Sequence, residues 1–162
     1  MTEYLTLSAV IRQKLAELSQ IVDRINAIRQ RIETTEEDEF YLDAIALNLH
    51  GFYTCLEQIF EAIARTIGEG MPTGSHWHQA LLLQMSVAVP TVRPAVISQA
   101  SRQRLDTYRG FRHVVRNVYT FNLEAARVLA LAMDLTLCYD QVVADLDQFC
   151  QFLDRMGQEP EE

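Results

Sequence analysis

The chain has 162 residues, of which 49% are hydrophobic and 22% charged, and it carries a formal net charge of −8 at pH 7. These values describe an ordinary soluble domain large enough for one real core, and they exclude a disordered or low-complexity chain. No run of 18 apolar residues occurs, so no membrane span is expected, and the net acidity argues against a protein that coats long nucleic-acid duplexes.

Residues 1–33 read as a long helix, with Leu5, Val10, Ile11, Leu15, Leu18, Ile21, Val22, Ile25, Ile28 and Ile32 at helical spacing. Thr34-Thr35-Glu36-Glu37 breaks it and supplies a cap for a second helix, expected from Glu36 to Ile67 with Leu42, Ile45, Leu49, Phe52, Leu56, Ile59, Phe60 and Ile63 on its core side. The glycine-rich stretch from Gly68 to Ser75 is a loop by composition. A short helix is expected from His76 to Met85. Val89 to Pro94 is an extended connection, because each proline pushes its predecessor out of the helical region. A further helix runs from Gln99 or Ser101 to Phe121, another restarts at Asn122, and a last amphipathic one is expected from Asp134 to Met156. No strand-like alternation competes with this reading. The expected fold is all-α: an up-and-down bundle of four main helices plus short connecting helices. It forms a single domain over residues 1–157, followed by an acidic disordered tail at 158–162.

The segment Tyr108–Phe121 carries the strongest functional signal. At 100° per residue Tyr108, Phe111, Val114, Val115, Val118 and Phe121 fall on one face. Arg109, Arg112, His113, Arg116, Asn117 and Thr120 fall on the other, with Tyr119 at the border. The apolar face explains docking. The stripe of three arginines and a histidine, read as having no acid at helical spacing to offset it, points to an anion, and phosphate is the anion that guanidinium groups hold best. The distribution of charge agrees: from Arg93 to Arg127 seven arginines stand against Asp106 and Glu124, a local +5 on an otherwise acidic body. Such a patch suits a small, local contact with RNA.

Other motifs are weaker. Cys55, Cys138 and Cys150 form no C-x-x-C pair and read as buried free thiols in a reducing cytoplasm. His76 and His78 stand at i, i+2, about 200° apart on a helix, and cannot share a metal there. They read as decoration of a helix start beside a core Trp77, and His50 reads as closing a buried hydrogen bond. No Walker, nucleophile-elbow or zincin motif is present. The N-terminus, Met1-Thr2-Glu3-Tyr4, lacks the layout of a signal peptide.

Leu49-His-Gly-Phe-Tyr53, Leu56-Glu-Gln-Ile-Phe60, Trp77-His78 through Leu83-Gln-Met85, Arg93-Pro94 and above all Phe111-Arg-His-Val-Val-Arg-Asn-Val-Tyr119 resemble the HepT-like branch of the HEPN superfamily, over roughly residues 40 to 150. The resemblance implies a small helical homodimer acting as a ribonuclease toxin without metal or other cofactor. Its RNA target would be tRNA or mRNA. Its partner would be a cognate minimal nucleotidyltransferase antitoxin, which attaches AMP to a tyrosine beside the active site.

The family pattern is an arginine, a polar neighbour, three residues, a histidine, one residue and a tyrosine. Arg112 and His113 fill the first two positions and Tyr119 is the AMPylation candidate, but Asn117 stands where the histidine is expected. An imidazole can take the proton of a ribose 2′-hydroxyl; an amide cannot. The resemblance therefore implies a catalytic set of Arg112, His113 and Asn117, with Arg109 and Arg116 holding phosphate and His113 as a displaced base. Two alternatives stay open. One is a catalytically degenerate adaptor that binds nucleotide, RNA or the nucleotidyltransferase without cleavage. The other is a plain oligomerising bundle whose arginines pair with carboxylates.

Overall fold

The computed structural model describes residues 2–33, 38–117 and 123–158; of Asp38, Arg116 and Asn117 only the backbone is described. The expected cap at 34–37, Val118, Tyr119, Thr120, Phe121 and Asn122, and the expected tail from residue 159 on lie outside the described residues.

The described chain is helical, as expected, and comprises α1 (Thr2–Ile32), α2 (Asp38–Ile67), α3 (Trp77–Met85), α4 (Gln99–Asn117) and α5 (Ala125–Gln158). The three long helices share one cause. Ile11, Leu15, Leu18, Val22 and Ile25 of α1 are buried at alternating spacings of four and three, and so are Ile45, Leu49, Phe52, Leu56, Ile59 and Ile63 of α2. That spacing keeps one apolar stripe against a neighbour along the whole helix. Each such side chain contributes about 1.5–3 kcal/mol by leaving water. Accordingly α1 lies against both α2 and α5, and α4 lies against α2 and α5. Leu5 and Val10, expected among the apolar positions of the first helix, sit at its edge, more than a third exposed.

Two boundaries differ from expectation. The separate helices expected around Asn122 and from Asp134 are one continuous 34-residue α5. No glycine or proline interrupts residues 125–156, and a charged residue such as Asp134 at the helix surface is no break when Leu131 and Leu135 on either side are buried. The connection from Val89 to Pro94 is a tight turn, not an extended run. The two residues before proline, Val89 and Arg93, form an isolated antiparallel bridge, and Thr91 between them reverses the chain at φ 64°. Ser98 then opens α4: its Oγ accepts from the Ser101 backbone N–H at 3.1 Å, while Asp145 of α5 accepts from the Ser98 N–H at 2.9 Å and the Ser101 hydroxyl at 2.6 Å.

Of the apolar face expected of α4, Tyr108 and Phe111 are buried, while Val114 and Val115 are half-buried. Tyr108 and Phe111 are in the core, and the Tyr108 ring meets Phe52 of α2 with centroids 5.6 Å apart. The Tyr108 hydroxyl lies 3.0 Å from both the Leu131 carbonyl and Asp134 of α5, and Asp134 also pairs with Arg104. Burial pushes the Tyr108 phenol well above its ordinary range, so it stays a donor. These contacts fix α4 in rotation, and the opposite, arginine-bearing face is thereby turned toward α2 and the start of α3. All three cysteines are free and buried, as read from the sequence; burial raises each thiol, that of Cys138 to about 12. No described helix is long and apolar enough to cross a membrane.

Candidate functional site: a histidine- and arginine-lined pocket over a buried glutamate

An open pocket of about 670 Å³ lies where the start of α3 meets the polar face of α4, lined by Ser75, His76, His78, Gln79, Arg109, Arg112 and His113. Three of the residues singled out from the sequence are therefore brought together. Arg116 and Asn117 follow on the last turn of α4, and Tyr119 lies outside the described residues.

Beneath the pocket sits Glu57. It projects from α2 and is only 3% exposed. A carboxylate buried this deeply requires compensating partners. His78 Nδ1 lies 2.6 Å from its Oε2, and Arg112 NH2 stands 4.0 Å from its Oε1. Arg112 also donates from Nε to Thr54 Oγ1 at 3.4 Å, one helical turn before Glu57 on α2. The arginine is thus held from behind by two α2 side chains, with 15% of its side chain exposed at the pocket. Tyr53, on the same turn, is buried; burial first, and the charge of Glu57 second, push its phenol far above the ordinary range.

The arginine stripe differs from its sequence reading in one respect. Acids do offset it. Asp106 lies at i−3 from Arg109 and accepts from its Nε at 2.8 Å, leaving the Arg109 side chain 24% exposed. Arg112 faces Glu57 from another helix. Elsewhere in the basic segment Arg104 pairs with Asp134, Arg127 lies over the Phe111 ring at 5.7 Å, and Arg93 is buried in the loop before α4. Arg93, Arg104, Arg109 and Arg112 thus each face a carboxylate inside the fold, and those at the pocket are held as oriented donors.

Glu57 and His78 carry the site's geometry, yet sequence reasoning assigned neither. A signal existed for both. Glu57 falls at i+4 from buried Tyr53 and i−3 from buried Phe60, an acid inside an apolar stripe. His78 precedes buried Leu81, Leu82 and Met85 by three, four and seven residues, so its ring is directed inward rather than decorating the helix surface. His76, at the N-cap position of α3 with φ −108° and ψ 24°, is off the helical path. That is how both histidines reach one pocket despite the i, i+2 spacing. Trp77 is half-buried, packed on the core and stacked on His78 with centroids 3.7 Å apart.

A helical protein with guanidinium and imidazole groups gathered over one buried carboxylate belongs to the class of small α-helical proteins with a polar site between helices. A family model described as HepT-like protein matches residues 44–153, a span that contains Glu57, His78 and Arg112. The chain belongs to this HepT-like family of the HEPN superfamily. Comparison with curated proteins and with solved structures gave no match.

Proposed function

We propose that the protein is a metal-independent ribonuclease toxin of a HepT-like toxin–antitoxin pair. In this reading the four main helices form an up-and-down bundle, the protein works in the cytoplasm as a homodimer, and the pocket opens at the dimer interface. The observation that carries the reading is the convergence of Arg109, Arg112 and His113 in one pocket, on a chain of this family. Arg112 stabilises the additional negative charge of the pentacoordinate phosphate. Arg109 and Arg116 hold neighbouring phosphates. An imidazole on the pocket wall takes the 2′-hydroxyl proton, and Tyr119 is the residue that the cognate nucleotidyltransferase would AMPylate.

Purified protein incubated with tRNA or total RNA in EDTA should generate 2′,3′-cyclic phosphate ends, and Arg112→Ala should remove them. Intact RNA with the dimeric wild-type protein would overturn the reading. The internal pairing of Arg109 with Asp106, together with Asn117, favours a second reading as a non-cleaving adaptor for a nucleotidyltransferase. Co-purification with that partner, with Tyr119 unmodified and RNA intact, would select it.

A further inference from the structure

We infer that His78, oriented by Glu57, is the general base of this site, and that it acts in the same chain as Arg112 in place of the imidazole missing at position 117. The inference rests on the ribonuclease reading and deepens it.

Three features of the structure point to His78. First, the 2.6 Å contact between His78 Nδ1 and Glu57 Oε2 sets the tautomer. An ionised carboxylate only accepts, so Nδ1 carries the hydrogen and the basic lone pair is left on Nε2. Second, the ring is held in place. The buried carboxylate anchors one edge and Trp77 stacks on its face at 3.7 Å, while the side chain keeps 22% exposure at the pocket wall. A base fixed in this way loses little freedom when substrate arrives. Third, Glu57 links the base to the cation: one carboxylate oxygen holds His78 and the other faces Arg112 at 4.0 Å. The proton acceptor and the stabiliser of phosphate charge are thus positioned relative to each other by a single residue of α2. His113 also lines the pocket, but it is exposed.

In the reaction, His78 Nε2 takes the 2′-hydroxyl proton. The 2′-oxygen bonds to phosphorus as the bond from phosphorus to the 5′-oxygen breaks, and that oxygen takes a proton from solvent. The products are a 2′,3′-cyclic phosphate and a 5′-hydroxyl, and His78 returns its proton to water. Glu57 is a positioning residue. The polar and aromatic groups around His78 are Glu57 from α2, Arg109, Arg112 and His113 from α4, and His76 and Trp77 beside it.

The test is cleavage by wild-type protein, Arg112→Ala, His78→Gln and Glu57→Gln, measured against pH, with binding of a 2′-deoxy-substituted oligonucleotide and urea unfolding measured on each. Glutamine at 78 can still donate to Glu57 but has no basicity. It should lower kcat by about 100-fold or more, abolish the acidic limb of the pH–rate profile, and leave oligonucleotide binding and unfolding within about twofold. Glutamine at 57 can donate to Nδ1 and move the hydrogen to Nε2, so kcat should fall by a similar factor. Wild-type cleavage that is lost in Arg112→Ala but retained within about threefold, with an unchanged profile, in His78→Gln would overturn the role of His78 and leave the ribonuclease reading standing. No cleavage by wild-type protein overturns both. Should either glutamine variant fail to fold, NMR of the wild-type His78 ring decides: a neutral tautomer with its hydrogen on Nε2 excludes this base.

Discussion

Arg93 Nε lies 2.7 Å from Glu69 Oε1, an ion pair that ties the loop entering α3 to the loop leaving it. The arginine is 4% exposed and reaches further: its NH1 donates to the carbonyls of Val87 and Pro94 at 2.8 and 2.9 Å, and its NH2 to Glu69 Oε2 and the Gln84 carbonyl at 2.9 and 3.0 Å. Gln84 adds a hydrogen bond to Glu69 at 3.0 Å. This clamp ties the C-terminal end of α3, at Gln84, to the loops on either side of the helix. Arg93→Ala leaves Glu69 and three carbonyls without their partner, and should cost about 3–5 kcal/mol in urea unfolding.

Acid should weaken the same clamp. Burial works against ionisation of Glu69, yet its hydrogen bonds with Arg93 and Gln84 outweigh burial and hold the carboxyl below its ordinary range. A carboxyl with a lower pKa in the folded than in the unfolded state contributes stability that is present above the unfolded pKa and lost as pH falls through the folded one. The stability difference between wild-type protein and Glu69→Gln, followed by urea unfolding, should therefore be full above about pH 5, near the upper edge of unperturbed glutamate titration, and shrink steadily below it.

Gly110 tests the dimer. Among the described residues a Cβ at this position meets only an Arg127 guanidinium nitrogen, at 4.0 Å, so those residues give no packing reason for glycine there. Gly110→Ala should stabilise the isolated fold by up to about 1 kcal/mol through helix propensity. If the arginine-bearing helix meets its copy by close backbone approach, the same change should weaken association, which sedimentation measured alongside unfolding will show.

Tyr108→Phe should cost about 1 kcal/mol, the value of a hydrogen bond lost without a cavity. Its ring contact with Phe52 persists, but Leu131 and Asp134 lose the hydroxyl that locks α4 to α5. Because that lock sets the rotation of α4, RNA cleavage should fall with stability, by a few-fold, measured at matched fractions of folded protein.

Asn117→His supplies the histidine that the resemblance leads one to expect at this position. It should raise cleavage in the wild-type background and, by supplying a second imidazole, recover at least part of the activity lost in His78→Gln. A His78→Gln/Asn117→His protein no more active than His78→Gln would show that position 117 does not reach the reacting ribose.

Much of the fold was legible in the sequence because it is written in local periodicity. The stripes Ile11–Ile25 and Ile45–Ile63 are buried as their spacing requires, and the apolar face of α4 was identified down to Tyr108 and Phe111. Where expectation failed, a local rule was applied to a nonlocal outcome. Asp134 was taken as a helix start, but it lies inside α5, where Arg104 and Tyr108 of another helix bond it. Prolines 90 and 94 indicated non-helical backbone correctly but not its reversal at Thr91.

The sequence alone determined an all-helical chain, the family, and an arginine helix with one apolar and one polar face, because each of these depends on residues close together along the chain. Asp106, at i−3 from Arg109, is a partner legible along the helix, but only the tertiary structure decided which acid meets Arg112 and which histidine joins it. Glu57 and His78 are 21 residues apart in sequence and 2.6 Å apart in space, and Glu57 and Arg112 come from different helices. A buried carboxylate must be compensated by whatever cation the packing brings to it. That partner is fixed by how α2, α3 and α4 dock, and no spacing within any one of them specifies it.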